Sequence, residues 1–570
     1  MTDKRQVSIL GPDGSPLPVR MEPPRRRRLA LAGGGGSFSG PAYDAADIYG
    51  QHMAAWTPYL WSPDAEVNPY RDRIVSRIRD MVRNDGWASG GVTRMLDNVI
   101  GATLRPISKP DFKFLALSTG NKAFDHEWSK EFAKAVDANW RSWSQDELGR
   151  YCDAARNQTF VEQMRVAFRH KLIDGDALAV MMFLPGRVGV GRARYATAVQ
   201  LVDPDRLSNP QLRFDQHTLR GGVEIDDYGA AVAYHIRKAH AGDWFSAQES
   251  LTWERVPRET WWGRPVVVHD YDGDRAAVHR GGAGVFAPVI QRLKMLAKYD
   301  SVEMDSAIIN SIFAAYVESP FDHELMAEAL DDGERVSGYQ MARTEFHNES
   351  SLLIGNSRIP ILFPGEKINT VAATRPNATN FAQFEGAVLR NFASGIGISA
   401  QQASNDWSDV NYSSARGALL EAWKTLDRRR VDFTEGFASP IRAAWLEEAM
   451  DEDDLPLPKN APSFLEARNA YSRCRWMGPA RGWIDPVAEK QGAVMGMDAA
   501  LSTLEDECAM QGLDYEEVLE QRKYELELFE DMGIPLPAWA GQFVTQQQQR
   551  PTTGVEAEQV AKPPKKPKAA

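Results

Sequence analysis

Residues 401 to 423 read QQASNDWSDVNYSSARGALLEAW, a polar stretch of about a dozen residues that runs directly into a helical one. Ser399, Gln401, Gln402, Ser404, Asn405, Asp406, Ser408, Asp409, Asn411, Ser413 and Ser414 dominate its first part. Such a segment cannot bury enough apolar area to join a core, so it is predicted to be an exposed loop. Ser413 or Ser414 is the predicted cap of the next helix, because a side-chain oxygen there would accept one of the orphan N-terminal amides. Ala415, Ala418, Leu419, Leu420, Ala422 and Trp423 then predict a helix running to about Met450.

The rest of the composition bounds what this loop can belong to. At 570 residues the chain is too long for one compact domain, and three or four structural units are expected. Cys152, Cys474 and Cys508 are far apart and form no CxxC pair, which argues against a disulfide framework or a zinc ribbon. No apolar run approaches the roughly eighteen residues that cross a bilayer, and no signal-peptide core is read at the N-terminus, so no membrane association is expected. A net charge of −12 disfavours a tight grip on nucleic acid, but it is compatible with DNA sliding past.

Outward from the loop, the pattern predicts an α+β chain with low-complexity ends. Residues 1–44, containing MEPPRRRR and GGGGSFSGP, and residues 541–570, containing QQQQRPTTG and KPPKKPKAA, are predicted to be disordered. Asn68 to Gly101 reads as two helices broken at Gly86, the first with Ile74, Val75, Ile78 and Met81 on one face and arginines on the other. Residues 122–183 look mainly helical, with tryptophans at 128, 140 and 143. Alternating runs follow, including AVMMFLP, YATAVQLVDPDRL, GGVEIDDYGAAVAYHIRKA and PVVVHDYD, and these predict strands with Asp203-Pro204-Asp205 as a turn. Val285 to Phe313 carries a helical apolar period that would span about 40 Å. Short strands are predicted around Gly355, then a helix from Asn380 to Ser394, and two acidic helices at Asp485 to Ala509 and Tyr515 to Met532. A small β unit between two helices is a projection on a stalk, and a two-helix stalk most naturally finds its missing partners in neighbouring copies of a closed ring.

The order of several phrases resembles the lambda-type family of tailed-phage portal proteins. They are RNDGWASGGVTRMLDNVIG, the Gly175-Asp176 pair before a strand, a Val-Asp-Pro turn, Gly-Val-Glu-x-Asp with a Tyr-His strand, Gln-Gln followed by Asn-Tyr-Ser-Ser-Ala-Arg, and GWIDPVAEKQ. The chain departs from the family at DRAAVHRGG (Asp274 to Gly282), where Arg-x-Gly-Gln-x-Arg-Gly is usual. The resemblance implies a portal fold: wing at 45–284 and 413–480, stem helices at 285–313 and 374–396, a β-containing clip at 314–373, a tunnel loop at 397–412 and a helical crown at 481–540. It also implies a homo-oligomeric ring, expected to be a dodecamer, that passes double-stranded DNA at one capsid vertex of the virion. Its implied partners are the terminase large subunit, a head-tail connector protein, and the major capsid and scaffold proteins. Twelve copies would carry on the order of a hundred negative charges, which favours sliding if acids line the channel. The channel candidates are Gln401, Gln402, Asn405, Asp406, Trp407, Asp409 and Asn411, with Trp407 either packing under the loop or touching DNA. Asp331, Asp332 and Glu334 are the candidate docking acids of the clip.

The residues point to no enzyme and no cofactor. HELMAE (His323 to Glu328) has Ala327 where a zinc-protease motif needs its second histidine, and PGRVGVGR is not a nucleotide-binding glycine pattern. Asp451, Asp453 and Asp454 fall in a turn-like segment, and His235 has no nucleophile or paired carboxylate near it in sequence. The competing readings are a metal-dependent nuclease or other phosphoryl-transfer enzyme built on scattered carboxylates, and a virion structural protein without a channel.

Overall fold

The computed structural model describes residues 55–313, 341, 345–346, 351–354, 357–360, 378–408, 411–452, 455–482 and 485–535. Both predicted low-complexity ends, the acids Asp331, Asp332 and Glu334, the HELMAE string, Asp409, Asp453 and Asp454 lie outside them. The chain divides into two units at Trp61 and Ser62. In the first, Tyr59 and Trp61 stack with ring centroids 5.8 Å apart.

The second unit begins with α1 (Pro63–Val67), α2 (Arg71–Asn84) and α3 (Gly86–Val99). The break between α2 and α3 is made by Asp85, which is extended and whose side chain accepts from the amide of Ala88 at 2.9 Å. The arginines of α2 do not all face water: Arg71 lies on the same buried stripe as Val75, Ile78 and Val82. Next come β1 (Arg105–Ser108), α4 (Phe112–Thr119), α5 (His126–Ser144) and α6 (Phe160–Asp174), the last opened by a Thr159/Glu162 capping box. The helical run predicted to 183 stops at Asp174, because Gly175 takes the left-handed conformation (φ 87°) that closes a helix.

Strand β2 (Asp176–Phe183) then forms the centre of an antiparallel sheet with β3 (Thr197–Val202) on one side and, on the other, β8 (Val267–Tyr271). Between β3 and β8 the chain makes a second antiparallel sheet in sequential order from β4 (Leu219–Arg220), β5 (Val223–Ile225), β6 (Ala231–Arg237) and β7 (Trp253–Pro257), with the short α7 (Ala247–Ser250) joining the last two. Alternation along β2 explains how it serves both layers. Ala177, Ala179 and Met181 face the helical core, whereas Leu178 meets Val223, Tyr234 and Ile236 of the second sheet.

Helix α8 (Ile290–Phe313) starts five residues later than the periodicity predicts, since Gly284 and Pro288 hold the preceding residues in turns. Beyond it lie the hairpin β9 (Ser351–Ile354) and β10 (Ser357–Pro360), then α9 (Ala378–Ile396). Two sets of ring contacts show that α8 and α9 run antiparallel: Phe286, just before α8, lies 6.0 Å from Phe392, and Tyr299, in the first half of α8, lies 5.5 Å from Phe381 and 5.3 Å from Phe384. After the short α10 (Ala400–Ser404), α11 (Tyr412–Phe433) continues through a π turn at Thr434–Ala438 into α12 (Ser439–Glu452). The π turn accommodates Pro440, which has no amide to donate, and it brings Gly436 so close to Asp270 that a Cβ there would lie 2.6 Å from Oδ1. Asp451 belongs to α12 and not to a turn.

Around α12 the tryptophans close the core. Trp140 meets Trp445 edge-on at 5.0 Å and Phe160 at 4.9 Å, and Trp143 lies 5.0 Å from Trp140. After α13 (Arg468–Tyr471), β11 (Cys474–Met477) returns to pair with β1. The C-terminal segment predicted as one helix to Ala509 is two, α14 (Pro486–Asp498) and α15 (Leu504–Met510), broken where Ala500 turns left-handed (φ 57°) and Thr503 caps anew. Helix α16 (Tyr515–Asp531) ends the described chain.

Candidate functional site

The polar loop is only half irregular. Ser399 caps α10 in a reciprocal box: its hydroxyl accepts from the Gln402 amide at 3.1 Å, and Gln402 Oε1 accepts from the Ser399 amide at 3.0 Å. Asn405 ends α10 in the left-handed conformation (φ 54°, ψ 19°), and its side-chain oxygen accepts from Arg94 Nη2 of α3 at 2.6 Å. The cap of α11 is Asn411, not Ser413 or Ser414: Asn411 Oδ1 accepts from the amide and the hydroxyl of Ser414, both at 2.9 Å.

These contacts sort the seven loop candidates. Gln402, Asn405 and Asn411 spend their side chains on holding the loop's shape. Gln401 is half-buried, and Asp406 and Trp407 face solvent, with Trp407 42 % exposed and therefore not packed away within one chain. The Ser408 hydroxyl and amide both donate to Asp406 Oδ1, at 2.6 and 3.0 Å, and hold its carboxyl below the usual range. Asp409 lies outside the described residues.

Behind the loop, α11 is fixed to α3 by Arg430. Its guanidinium donates to the Val99 and Asn98 carbonyls at 3.0 and 2.7 Å, satisfying the end of α3 with a cation, and sits 5.2 Å from the Trp423 ring. Sequence reasoning gave no sign of Arg94 or Arg430 in these roles, because their partners lie more than three hundred residues away.

A second constellation fixes the root of α8. Arg280 and Arg71 converge on Asp176 Oδ2 at 2.9 and 3.3 Å, and His269 Nε2 lies 3.1 Å from Oδ1. Burial opposes ionisation of Asp176, yet Arg280, His269 and Arg71 hold its carboxyl well below the ordinary range. Nearby, Arg79 reaches Asp174, Asp203 and Asp205 at 2.8, 3.1 and 2.7 Å. Burial resists ionisation of Asp203 too, but the Asp205 amide and Arg79 bring it down to about 2. His170, Asp174 and Asp203 stand close enough to hold an ion, but the Arg79 guanidinium already takes the place of the cation. The Asp203-Pro204-Asp205 turn is therefore an arginine-binding turn, and His235 simply lies 3.4 Å from Glu224.

The profile described as "Phage portal protein, lambda family" matches residues 49–430. The "Portal protein" of Escherichia phage N15 and "Portal protein B" of Escherichia phage lambda are each 30% identical to this chain over 542 residues, 94% of this chain and 95% of theirs. The neck of a native gene transfer agent particle superimposes on 81% of this chain and 97% of its own with 12% identity and a TM-score of 0.32, too loosely to define the fold. The chain belongs to the lambda family of phage portal proteins.

Proposed function

We propose that copies of this chain close into a ring, a dodecamer in the virion, through which double-stranded DNA is packaged and ejected at one capsid vertex, and that the tunnel loop at 397–412, α10 and the loop after it, faces the hole. One observation carries the reading: in a chain of the portal family, an antiparallel helix pair brackets a β-hairpin insertion and is followed by a capped polar loop and a long helix. The pair leaves Met295, Val302, Met304 and Phe384 at least half exposed. A two-helix arm with such a surface is best covered head-to-tail by the next copy.

In this reading α8 and α9 are the stem and residues 314–373 the clip, with the wing at 45–284 and 413–480 and the crown at 481–540. Gln401, Asp406, Trp407 and Asp409 meet the DNA, while Gln402, Asn405 and Asn411 keep the loop in shape. Acids toward the hole let phosphates slide without adhering. The protein performs no catalysis; the driving chemistry belongs to the terminase large subunit, docked at Asp331, Asp332 and Glu334. The head-tail connector and the major capsid and scaffold proteins are its other partners.

Negative-stain microscopy of the purified chain tests this. Rings with a hole wide enough for a duplex are expected, and a monomer that cleaves DNA with magnesium would overturn the reading. Deleting Ser404 to Asp409 is expected to leave rings intact and to impair DNA retention. Reversing the three clip acids is expected to weaken terminase binding.

A further inference from the structure

The C-terminal helices are attached to the body by charge. None of α14, α15 and α16 has a buried residue, and Met495, Leu501, Tyr524 and Met532 are each at least 60 % exposed. Across the seam, six cations of the body meet five acids of α15 and α16. Arg105 and Arg141 pair with Glu517 at 2.7 and 3.3 Å, and Lys130 pairs with Glu516 at 3.6 Å. Arg475 lies 3.4 Å from both Glu505 and Asp506, while Lys109 meets Glu505 and Lys134 meets Glu520. Lys130, Lys134 and Arg141 stand at i, i+4 and i+11 on α5 and so share one face, with Arg105, Lys109 and Arg475 beside them on β1 and β11 or just past it. A cleft of about 480 Å³ opens along this row.

We propose that this row is a binding strip for the phosphate backbone of duplex DNA, closed in this structure by the acids of α15 and α16 acting as a tethered competitor. The chain as a whole carries −12, so six clustered cations on one face are a local reversal of its charge. Their side chains remain roughly a quarter to a half exposed, so an outside anion can reach them. Phosphate oxygens accept the same charge-assisted hydrogen bonds that the carboxylates now accept. Because no buried apolar side chain holds α15 and α16 down, exchanging one anion for the other breaks no core.

The strip goes beyond the channel reading and is testable apart from it, since covalently closed circular DNA cannot thread a preassembled ring. The full-length chain carrying E505Q, E516Q, E517Q and E520Q is expected to bind relaxed closed circular duplex about tenfold more tightly than wild type at low salt, with a steeper salt dependence. Adding K130E, K134E and R141E should abolish the gain. Unchanged affinity in the neutralised chain, or a gain that survives the three reversals, overturns the proposal. Polyglutamate that competes as well as the duplex would reassign the strip to an acidic protein. Unaltered wild-type protein gives a second readout: saturating circular DNA should speed amide exchange in Leu504 to Asp531, and unchanged exchange there also overturns it.

Discussion

Arg280 Nε stands 2.9 Å from Asp176 Oδ2, with the arginine side chain 5% exposed and the aspartate 0%. Arg280 also donates to the carbonyls of Pro204, Leu207 and Gly221, so one guanidinium joins the central sheet, the turn after β3 and the chain about to enter α8. Removing Arg280 takes the nearest cation from a fully buried carboxylate, leaving only Arg71 and His269 on it, and strips three carbonyls of their donor. Arg280→Met is expected to destabilise the subunit by about 3–5 kcal/mol, and Arg280→Lys to recover only part, because an ammonium cannot reproduce the planar fork. Urea unfolding of the dissociated subunit checks this, and a wild-type midpoint for Arg280→Met would refute it.

The same cluster sets an acid limit. Asp176 and Asp203 have carboxyls depressed below the value of about 3.9 expected unfolded, Asp203 to about 2. The unfolded chain therefore binds more protons in this range, so their contribution is complete above about pH 4 to 5 and is lost as pH falls through the folded values. Melting temperature should rise from pH 2.5 to 5 and then level off. Asp203→Asn should flatten that rise, and a slope equal to wild type would exclude Asp203 from the linkage.

How much of this was legible in sequence depended on the range of the interaction. The exposed residues Asn405 to Ser408, the long helix after them, the strands around Val-Asp-Pro and the pairing of β9 with β10 follow from local periodicity and turn chemistry, whereas the polar composition hid α10, where Ser399 is buried and Gln401 and Gln402 are half-buried. The cap of α11 lies two or three residues before the serines that composition favours, because Asn411, Ser413 and Ser414 all have capping oxygens, and only backbone geometry tells which one precedes the first turn. The burial of Arg71 was invisible, since its partner Asp176 is 105 residues away and an arginine on a helix reads as solvent-facing. The segment Asp274 to Gly282 departs from the family pattern, and within it Arg280, Gly281 and Gly282 supply the buried arginine and the tight glycines of the α8 root. Gly284 and Pro288 account for the late start of α8, although the apolar period extends back to Val285.

Those glycines give a contrast that sterics decides. A Cβ on Gly284 would lie 2.3 Å from the Leu172 carbonyl oxygen, and one on Gly282 1.7 Å from Val67 Cγ1, whereas a Cβ on Gly90 meets nothing within 4 Å. Gly284→Ala should cost several kcal/mol and lower the yield of folded subunit, because backbone must move. Gly90→Ala, in the exposed middle of α3, should stabilise by roughly 0.5–1 kcal/mol. Thermal melts of the two variants check the pair, and equal shifts would show that the α8 root is not the tight passage described.

The loop can be tested through its own supports without touching the residues assigned to DNA. Asn411→Ala removes the cap of α11 and should cost about 0.5–2 kcal/mol, seen as faster amide exchange in the first turn of that helix. At Asn405 two effects separate. Asn405→Gly keeps the left-handed backbone free of steric cost but loses the bond from Arg94, whereas Asn405→Ala loses the bond and adds about 1–2 kcal/mol of backbone strain. Arg94→Gln should resemble Asn405→Gly. Exchange protection across Ala403 to Ser408 is thus expected to fall from wild type to Asn405→Gly to Asn405→Ala, with rings still forming in all three. If the three proteins protect the loop equally, Arg94 and the left-handed turn do not set its shape, and the burden passes to the Ser399 and Gln402 box, where Gln402→Ala becomes the variant to measure.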